Sequence, residues 1–211
     1  MLLENDIITD AKQYVSYLLL PLEDYYYHHY EHALDVMERA VYLWGKEWAN
    51  EIEKEMLALA GLFHDTGFVI QYDKNEYIGA KIARNYLKTI LYPEERIAQI
   101  EALIIATIPS KKPENILEQI IKDADLDNLW REDFFDKWDK LKKELELIKN
   151  IKIKDPDWHH ASLDLFHGHT FYTKTQAKER EQQKKENFKK LRLVLDHGDI
   201  VDTSKKLKRH I

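Results

Sequence analysis

Apolar residues recur every three or four positions along most of the chain, which is the spacing of one face of an α-helix. The segment 29–46 shows this pattern clearly, with Val36, Met37, Ala40, Val41 and Trp44 on one side. Nine helices are predicted by the pattern, at about residues 6–20, 29–46, 51–63, 75–91, 93–108, 114–125, 132–150, 158–168 and 173–195. No segment requires a β-strand. We therefore expect an all-α fold.

The scarcity of glycine and proline supports long helices. Only 6 Gly and 5 Pro occur among 211 residues, too few for a fold of many short strands joined by turns. A chain of this length fits one domain with a sizeable core. After Trp130 the composition shifts towards Lys and Glu. We predict a single domain over residues 1–211, in which a helical bundle of residues 1–130 carries the functional site and residues 131–211 form a C-terminal helical extension packed on it.

Charge and cysteine content exclude several classes of protein. The formal net charge is −6 at pH 7, so no general attraction to nucleic acid is expected. There is no cysteine, which excludes disulfides and thiolate metal sites, and any metal must bind through nitrogen and oxygen. The longest apolar stretch, residues 15–22, is too short to cross a bilayer, and the first residues lack the pattern of a signal peptide. These features predict a cytoplasmic protein without a membrane segment.

A histidine on the second predicted helix interrupts its apolar face. Residues four apart share a helix face, so His32 lies in line with Val36 and Ala40 and is expected to point towards the core. Two interpretations of this position remain open. His32 is either a core histidine whose hydrogen bonds are satisfied within the protein or a metal ligand.

A His-Asp pair follows the third predicted helix. His64 and Asp65 come directly after the apolar segment 59–63 and precede Thr66 and Gly67, which begin a turn. A carboxylate in such surroundings is costly unless a cation or several hydrogen-bond donors compensate its charge. The pair therefore favours a cation site at the end of this helix.

The third candidate element is the sequence Asp123-Ala124-Asp125. Asp125 lies on the helix row of Leu117, Ile121 and Leu129, so it interrupts an otherwise apolar face. Asp123 lies on a row that turns polar. We select Asp125 as the inward-pointing carboxylate. The alternative is that both aspartates are surface charges or cap a helix.

A histidine on an early helix, a His-Asp pair and a distant aspartate together resemble the pattern of the HD superfamily of metal-dependent phosphohydrolases. Segments 27–32, 62–68, 123–127 and 166–173 are similar to one branch, the small predicted HD phosphohydrolases of bacteria. The similarity runs from about residue 24 to about residue 191. It implies an HD-domain helical bundle with the activity of a phosphoric ester hydrolase.

The resemblance also implies a metal site. Its four ligands would be His32, His64, Asp65 and Asp125. Two imidazoles and two carboxylates suit one divalent ion, namely Mn, Mg, Fe, Co, Ni or Zn. Family members with two metals add histidines after the His-Asp pair, whereas this chain has Asn75 and Glu76 at one such place and Thr107 at another. We therefore expect one tightly bound metal.

The candidate catalytic groups are Asp65, Glu76 and His28. Glu76 is selected as a carboxylate behind the ligands or as a general base, although it can equally be an acid at a helix N-terminus. His28 precedes His32 by one turn and is selected to orient a ligand or to contact phosphate. His169 matches the family's C-terminal block and is a candidate for capping or lining the site. Arg180 is interpreted as part of a solvated helix face, with pairing to an acid or phosphate as the alternative.

The aromatic residues are interpreted as packing residues and not as a platform for nucleic-acid bases, because their spacing is helical. They are Tyr25, Tyr26, Tyr27, Trp130, Phe134, Phe135 and Trp138.

Three functions remain open from sequence alone. The first is hydrolysis of a phosphate ester, in a nucleotide or another small phosphorylated metabolite, by a metal-activated water. The second is an HD-fold module with little or no turnover that binds metal and nucleotide and regulates a partner. The third is a structural protein in which the His and Asp side chains satisfy one another. Four ligands leave two positions of an octahedron for water and a phosphate oxygen, and this favours the first function.

Overall fold

The computed structural model describes residues 6–22, 25–47 and 50–207, with side chains from residue 7 to residue 195 within those ranges. These ranges contain α-helices, short 3₁₀ turns and no strand, which confirms the all-α fold. The helices are α1 (Asp6–Leu18), α2 (Tyr30–Glu47), α3 (Glu51–Phe63), α4 (Asn75–Thr89), α5 (Glu94–Ala106), α6 (Ile116–Asp125), α7 (Phe134–Lys149), α8 (Asp155–Gly168) and α9 (Lys174–Leu207). None of the described helices is long and apolar enough to cross a membrane.

Most helix ends differ from the prediction by one to three residues, and α9 extends to Leu207 and not to Leu195. Proline explains two of these differences. Helix α1 ends at Leu18 and not at Leu20, because the chain enters a 3₁₀ turn that contains Pro21. A proline disfavours helical backbone at the residue before it and lacks a backbone donor. Helix α8 begins at Asp155 and not at Trp158, because Pro156 fits the first helical positions, where its missing N–H costs nothing.

Polar side chains fix several other ends. Asn50 and Glu53 form a capping box at the start of α3, in which the Asn50 side chain accepts from the Glu53 N–H at 3.0 Å. The Asn115 side chain caps α6 in the same way, accepting from the Glu118 N–H at 3.0 Å. Helix α7 stops at Asn150, whose φ of 49° is left-handed.

The main core lies among the first six helices. Helix α2 packs against α3 and α6, while α5 packs against α3 and α4. The side chains of Leu43, Leu59, Phe63, Ile100 and Ile104 are completely buried between them. Each such side chain contributes about 1.5–3 kcal/mol by leaving water. This core holds the ends of α2, α3 and α6 in fixed relative positions.

A second apolar cluster joins the C-terminal helices to the bundle. It consists of the buried residues Tyr27, Leu129, Trp130, Phe134, Phe166 and Leu191. Trp130 and Phe134 are fully buried and Tyr27 is 7% exposed, which confirms the interpretation of these three aromatics as packing residues, whereas Tyr26 is 46% exposed. The division of one domain at residue 130 stays a prediction.

A buried carboxylate ties α9 to the bundle. Asp127, which is 2% exposed, accepts from Arg180 Nε at 2.7 Å and from Gln176 Nε2 at 2.8 Å, both on α9. Arg39 Nε of α2 lies 3.0 Å from the same carboxylate. The interpretation of Arg180 as part of a solvated face is therefore wrong, since it pairs with an acid. The error arose because the position of Asp127 opposite α9 depends on how the helices pack.

Candidate metal centre

His32 lies in the first turns of α2 and faces the core. It is 5% exposed, and Val36 and Ala40, which follow on the same row, are 1% and 0% exposed. The predicted orientation of His32 is therefore confirmed. Its imidazole is held among buried side chains near the start of the helix.

A glycine brings α3 close to α2. A Cβ added to Gly61 would lie 2.8 Å from the Cα of Met37, a separation that only glycine tolerates. The two helices therefore approach backbone to backbone near this point. As a result, the end of α3, which carries His64 and Asp65, lies beside His32.

Local hydrogen bonds orient the His-Asp pair at the end of α3. His64 Nδ1 lies 2.8 Å from the carbonyl oxygen of Gly61, which can only accept, so Nδ1 carries a proton and donates it. The neutral ring then has a bare Nε2 lone pair. The Thr66 hydroxyl donates to the Phe63 carbonyl at 2.7 Å and holds the following turn in place.

Four side chains, carried by α2, by the residues that follow α3 and by the end of α6, meet at one point. His64 Nε2 lies 2.9 Å from Asp65 Oδ2 and 3.4 Å from Asp125 Oδ1. His32 Nε2 lies 3.5 Å from Asp65 Oδ2 and 3.4 Å from Asp125 Oδ1. The donor atoms of His32, His64 and Asp125 all fall within 4.8 Å of one another. This group is placed so that it can bind a metal ion.

The bonding state of these atoms fits a cation. His64 Nε2 and Asp65 Oδ2 are buried, and neither has a hydrogen-bond partner with suitable geometry among the described residues. Buried polar atoms without partners are rare and costly. Two imidazole nitrogens and two carboxylate oxygens are ligands that borderline and hard divalent ions accept. A divalent ion between them would satisfy both orphaned atoms.

The protonation of His64 reflects its acidic neighbours. Burial disfavours the charged ring, but the negative charges of Asp65 and Asp125 outweigh burial and raise the pKa of His64 well above 6.5. Burial likewise raises the pKa of each carboxyl, but the facing histidines, His64 above all, outweigh it and hold both below 3.8. Without a metal, a proton on His64 therefore partly balances the carboxylates.

Competition between a metal ion and the proton on His64 predicts that stabilisation by the metal increases with pH. Because the pKa of folded His64 is raised, its ion pairs add stability that is complete below 6.5 and is lost as pH rises through the folded value. The lowered pKa values of Asp65 and Asp125 add stability above 3.8 that is lost only in acid. A metal must displace the His64 proton. The melting-temperature increase caused by Mn²⁺ should be larger near pH 8 than near pH 6, and an equal or smaller increase near pH 8 would contradict this competition.

Asn128 is a neighbour of the centre that sequence analysis did not identify. Its Nδ2 lies 3.2 Å from His32 Nδ1, and its Oδ1 accepts from the Tyr27 hydroxyl at 2.9 Å. In this arrangement His32 Nδ1 accepts, so the neutral ring carries its proton on Nε2. Coordination through Nε2 requires the Asn128 amide to turn over, so that its oxygen accepts the Nδ1 proton. The amide thus selects the tautomer of His32.

Replacing Asn128 should weaken metal binding without removing a ligand. We expect Asn128→Ala to lower the affinity for Mn²⁺ about 10- to 100-fold, because the hydrogen bond that orients His32 is lost. Isothermal titration calorimetry measures this change directly. Asn187→Ala is a matched control. Asn187 is a fully buried asparagine of α9, and its side chain donates to the Arg131 carbonyl and not to His32. Equal affinities for the two variants would contradict a role for Asn128.

Glu76 lies in the first turn of α4 and is half-buried. The start of α4 presses on the turn that carries Asp65, because a Cβ on Gly67 would lie 1.9 Å from the Asn75 carbonyl oxygen. Burial lowers the pKa of Lys122, and the charge of Asp125 and, to a smaller extent, that of Glu76 oppose this lowering. Glu76 makes no hydrogen bond to another described residue, and its catalytic role stays a prediction.

His28 lies beside the centre and is paired with a buried glutamate on α7. Its Nδ1 makes a short hydrogen bond to Glu144 Oε1, and its ring packs 4.3 Å from the Phe68 ring. Burial opposes protonation of His28, but this hydrogen bond and the charge of Asp65 outweigh burial and raise its pKa. Burial in turn raises the pKa of Glu144, while its hydrogen bond and charge interaction with His28 lower it overall. The raised pKa of His28 and the lowered pKa of Glu144 both favour an ion pair between the two side chains.

Two other residues lie outside this arrangement. His169 packs 4.1 Å from the Trp130 ring and lies 3.2 Å from Lys184 Nζ, so its contacts are with the second cluster and not with the centre. Asp123, interpreted from its row as a polar position, is 1% exposed. It accepts from the Thr173 N–H at 2.7 Å at the start of α9, and burial raises its pKa to about 6. Asp123 therefore holds the residues just ahead of α9, where the Thr173 hydroxyl caps the helix by accepting from the Gln176 N–H at 3.2 Å.

The positions at which histidines of a second metal site were considered hold other groups. The Thr107 hydroxyl donates to the Ile104 carbonyl at 2.7 Å. The Asn75 side-chain oxygen is buried without a hydrogen-bond partner. In the described part of the chain, His32, His64 and Asp125 form the one group of three or more His, Cys, Asp or Glu ligands with this spacing. A single metal stays a prediction.

Glu144 was missed as well, although the sequence holds a weak signal for it. Glu144 lies three residues after Leu141 and four before Ile148, on the row that α7 turns inward. It is 0% exposed, whereas Leu147 is 56% exposed. A glutamate on an apolar row is the same kind of signal that identified Asp125.

Comparison with known proteins agrees with this geometry. The family model of the HD domain matches residues 29–127, a segment that contains all four side chains of the centre. Searches of the curated proteins and of the solved structures found no match.

Proposed function

We propose that this chain, which contains an HD domain over residues 29–127, is a metal-dependent phosphohydrolase that cleaves a phosphate ester in a nucleotide or another small phosphorylated metabolite. The observation that carries the proposal is the convergence of His32, His64, Asp65 and Asp125 within 3.5 Å of their facing partners. HD domains bind divalent metals, and most of this family hydrolyse phosphate esters. The nature of the metal and of the ester is part of the proposal.

The partial exposure of its carboxylates supports access of a substrate to the centre. The side chains of Asp65 and Asp125 are 13% and 20% exposed, while those of His32 and His64 are 4% and 1% exposed. The carboxylates thus lie at the rim and the imidazoles at the floor. A bound divalent ion supplies a Lewis acid for a phosphate oxygen and makes a water more acidic.

The protein's own groups then handle the protons of the reaction. In hydrolysis, a water oxygen bonds to phosphorus and the ester P–O bond breaks. We assign Glu76 to accept a proton from the attacking water and the protonated His28 to donate a proton to the departing oxygen. Glu76 later releases its proton to solvent, from which His28 regains one. Asp65 would hold the metal together with His64, whose proton the metal displaces.

A second candidate function is a regulatory module that binds metal and nucleotide with little turnover. It is favoured by the state of Glu76, the assigned general base, which makes no hydrogen bond to another described residue and so is not held in place for proton transfer. Tight nucleotide binding without product would favour this second function.

The direct test is an assay of phosphate release from nucleoside mono-, di- and triphosphates, cyclic nucleotides and small phosphate esters. Each is tested with Mn²⁺, Co²⁺, Ni²⁺ and Mg²⁺ and again after chelation. We expect turnover of at least one ester that requires added metal and is lost on chelation. Absence of turnover from the whole panel, with metal bound to the protein, would count against an enzyme.

A further inference from the structure

Glu144 lies outside the matched HD segment but reaches the candidate centre. It is on α7, is 0% exposed, and follows the end of the matched segment by 17 residues (144 minus 127). Carboxylates are almost never fully buried unless they are paired. The partners of Glu144 therefore explain why this carboxylate is buried.

Both carboxylate oxygens bind one short stretch of chain ahead of α2. Glu144 Oε2 accepts from the backbone N–H groups of Tyr27 at 2.8 Å and of His28 at 2.9 Å. Oε1 pairs with Nδ1 of the His28 ring. One carboxylate thus fixes the backbone of this stretch and also the side chain that the stretch carries.

The remaining contacts of the His28 ring restrict its orientation. Phe68, three residues after Asp65 in the same turn, lies against the ring at 4.3 Å, and Tyr72 and His32 approach edge-on at 6.0 Å. No hydrogen bond to Nε2 is found among the described residues. The side chain is 15% exposed. His28 therefore keeps one ring nitrogen beside the centre that is not hydrogen-bonded to any described residue, on a side chain that is partly exposed.

We propose that Glu144 is a positioning residue of the candidate active site, which holds the His28 ring so that its free Nε2 faces the phosphate bound at the centre. The assignment rests on the proposed function, and it makes the C-terminal helices a part of the active site. Glu144 acts through His28 and does not itself contact substrate. The alternative is a purely structural role, in which Glu144 only anchors the stretch before α2. The experiment must distinguish this role from the positioning of His28.

The test is a double-mutant cycle with Glu144→Gln and His28→Asn. Gln keeps the shape of the side chain and an acceptor oxygen for the backbone N–H groups, but loses the charge. We expect Glu144→Gln to lower kcat about 10- to 100-fold with KM for the phosphate ester and Mn²⁺ affinity within about threefold. In the His28→Asn background the same change should lower kcat no further. Additive losses in the double variant would overturn the proposal.

Glu179→Gln is a matched control, because Glu179 joins α9 to α2 through Arg39 and Tyr42 and makes no contact with the centre. It should leave kcat unchanged. A ¹⁵N spectrum of the histidine rings gives a second readout that does not require turnover. If the wild-type protein hydrolyses none of the esters, the proposed function fails. The spectrum then tests the placement of His28 by itself. If the ring signals of His28 do not move in Glu144→Gln, the proposal that Glu144 positions His28 is wrong.

Discussion

Asp65→Ala should lower kcat/KM for metal-dependent ester hydrolysis by at least about a thousandfold, a loss of roughly 4 kcal/mol in the transition state. Asp65 Oδ2 faces both His64 Nε2 and His32 Nε2, at 2.9 and 3.5 Å. Its removal takes away a proposed ligand and the charge that lies closest to His64. Metal affinity should therefore fall together with activity. Steady-state kinetics at saturating Mn²⁺ and calorimetric titration measure the two effects.

Asp73→Ala provides the matched control, since Asp73 is an exposed aspartate in the loop that follows the same turn. This variant should bind metal and turn over substrate like the wild-type protein. If Asp65→Ala kept activity within tenfold of Asp73→Ala, Asp65 would be neither a ligand nor a catalytic group.

Gly67→Ala should destabilise the protein by about 3 kcal/mol or more. A Cβ at this position would lie 1.9 Å from the Asn75 carbonyl oxygen and 2.6 Å from the carbonyl carbon, so the start of α4 must move away from the turn after Asp65. For a chain of about 200 residues each kcal/mol shifts the melting temperature by about 2–4 °C. We expect a decrease of about 6–12 °C in thermal unfolding, and a loss of metal affinity in the protein that remains folded.

Gly45→Ala tests the same substitution without the steric conflict. Nothing lies within 4 Å of a Cβ on Gly45, which is exposed in α2. Alanine is favoured over glycine inside a helix by about 0.8–1 kcal/mol. This variant should therefore melt at the same temperature as the wild-type protein or slightly higher. Equal melting temperatures for the Gly67 and Gly45 variants would show that the start of α4 moves away from the turn with no loss of stability.

Helical periodicity was enough to predict most of the fold and the direction of the central side chains. The rows through His32 and Asp125 showed polar residues on apolar faces, and the structure places both at the junction of α2, α3 and α6. His64 and Asp65 are adjacent in the sequence, so the predicted end of one buried helix was enough to locate both. Whether these side chains bind a metal stays a prediction that the proposed experiments test.

The contacts that support the centre depend on packing between distant helices, which periodicity does not describe. Asn128 meets His32 across 96 residues and Glu144 meets His28 across 116 residues. The row of Asp123 turns polar, but the start of α9 covers that row and buries it. In each case the partner comes from an element whose position is set by the second apolar cluster.

The helix ends around the centre have an electrostatic consequence of their own. His64 and Asp65 follow the last residue of α3, and Asp125 is the last residue of α6. The carboxyl-terminal end of a helix carries about half a negative elementary charge, and the amino-terminal end carries the opposite. His32 enters from the first turn of α2, whose end carries the opposite charge. The carboxyl-terminal ends of α3 and α6 therefore add a backbone attraction for cations, which every substitution of a ligand side chain leaves in place.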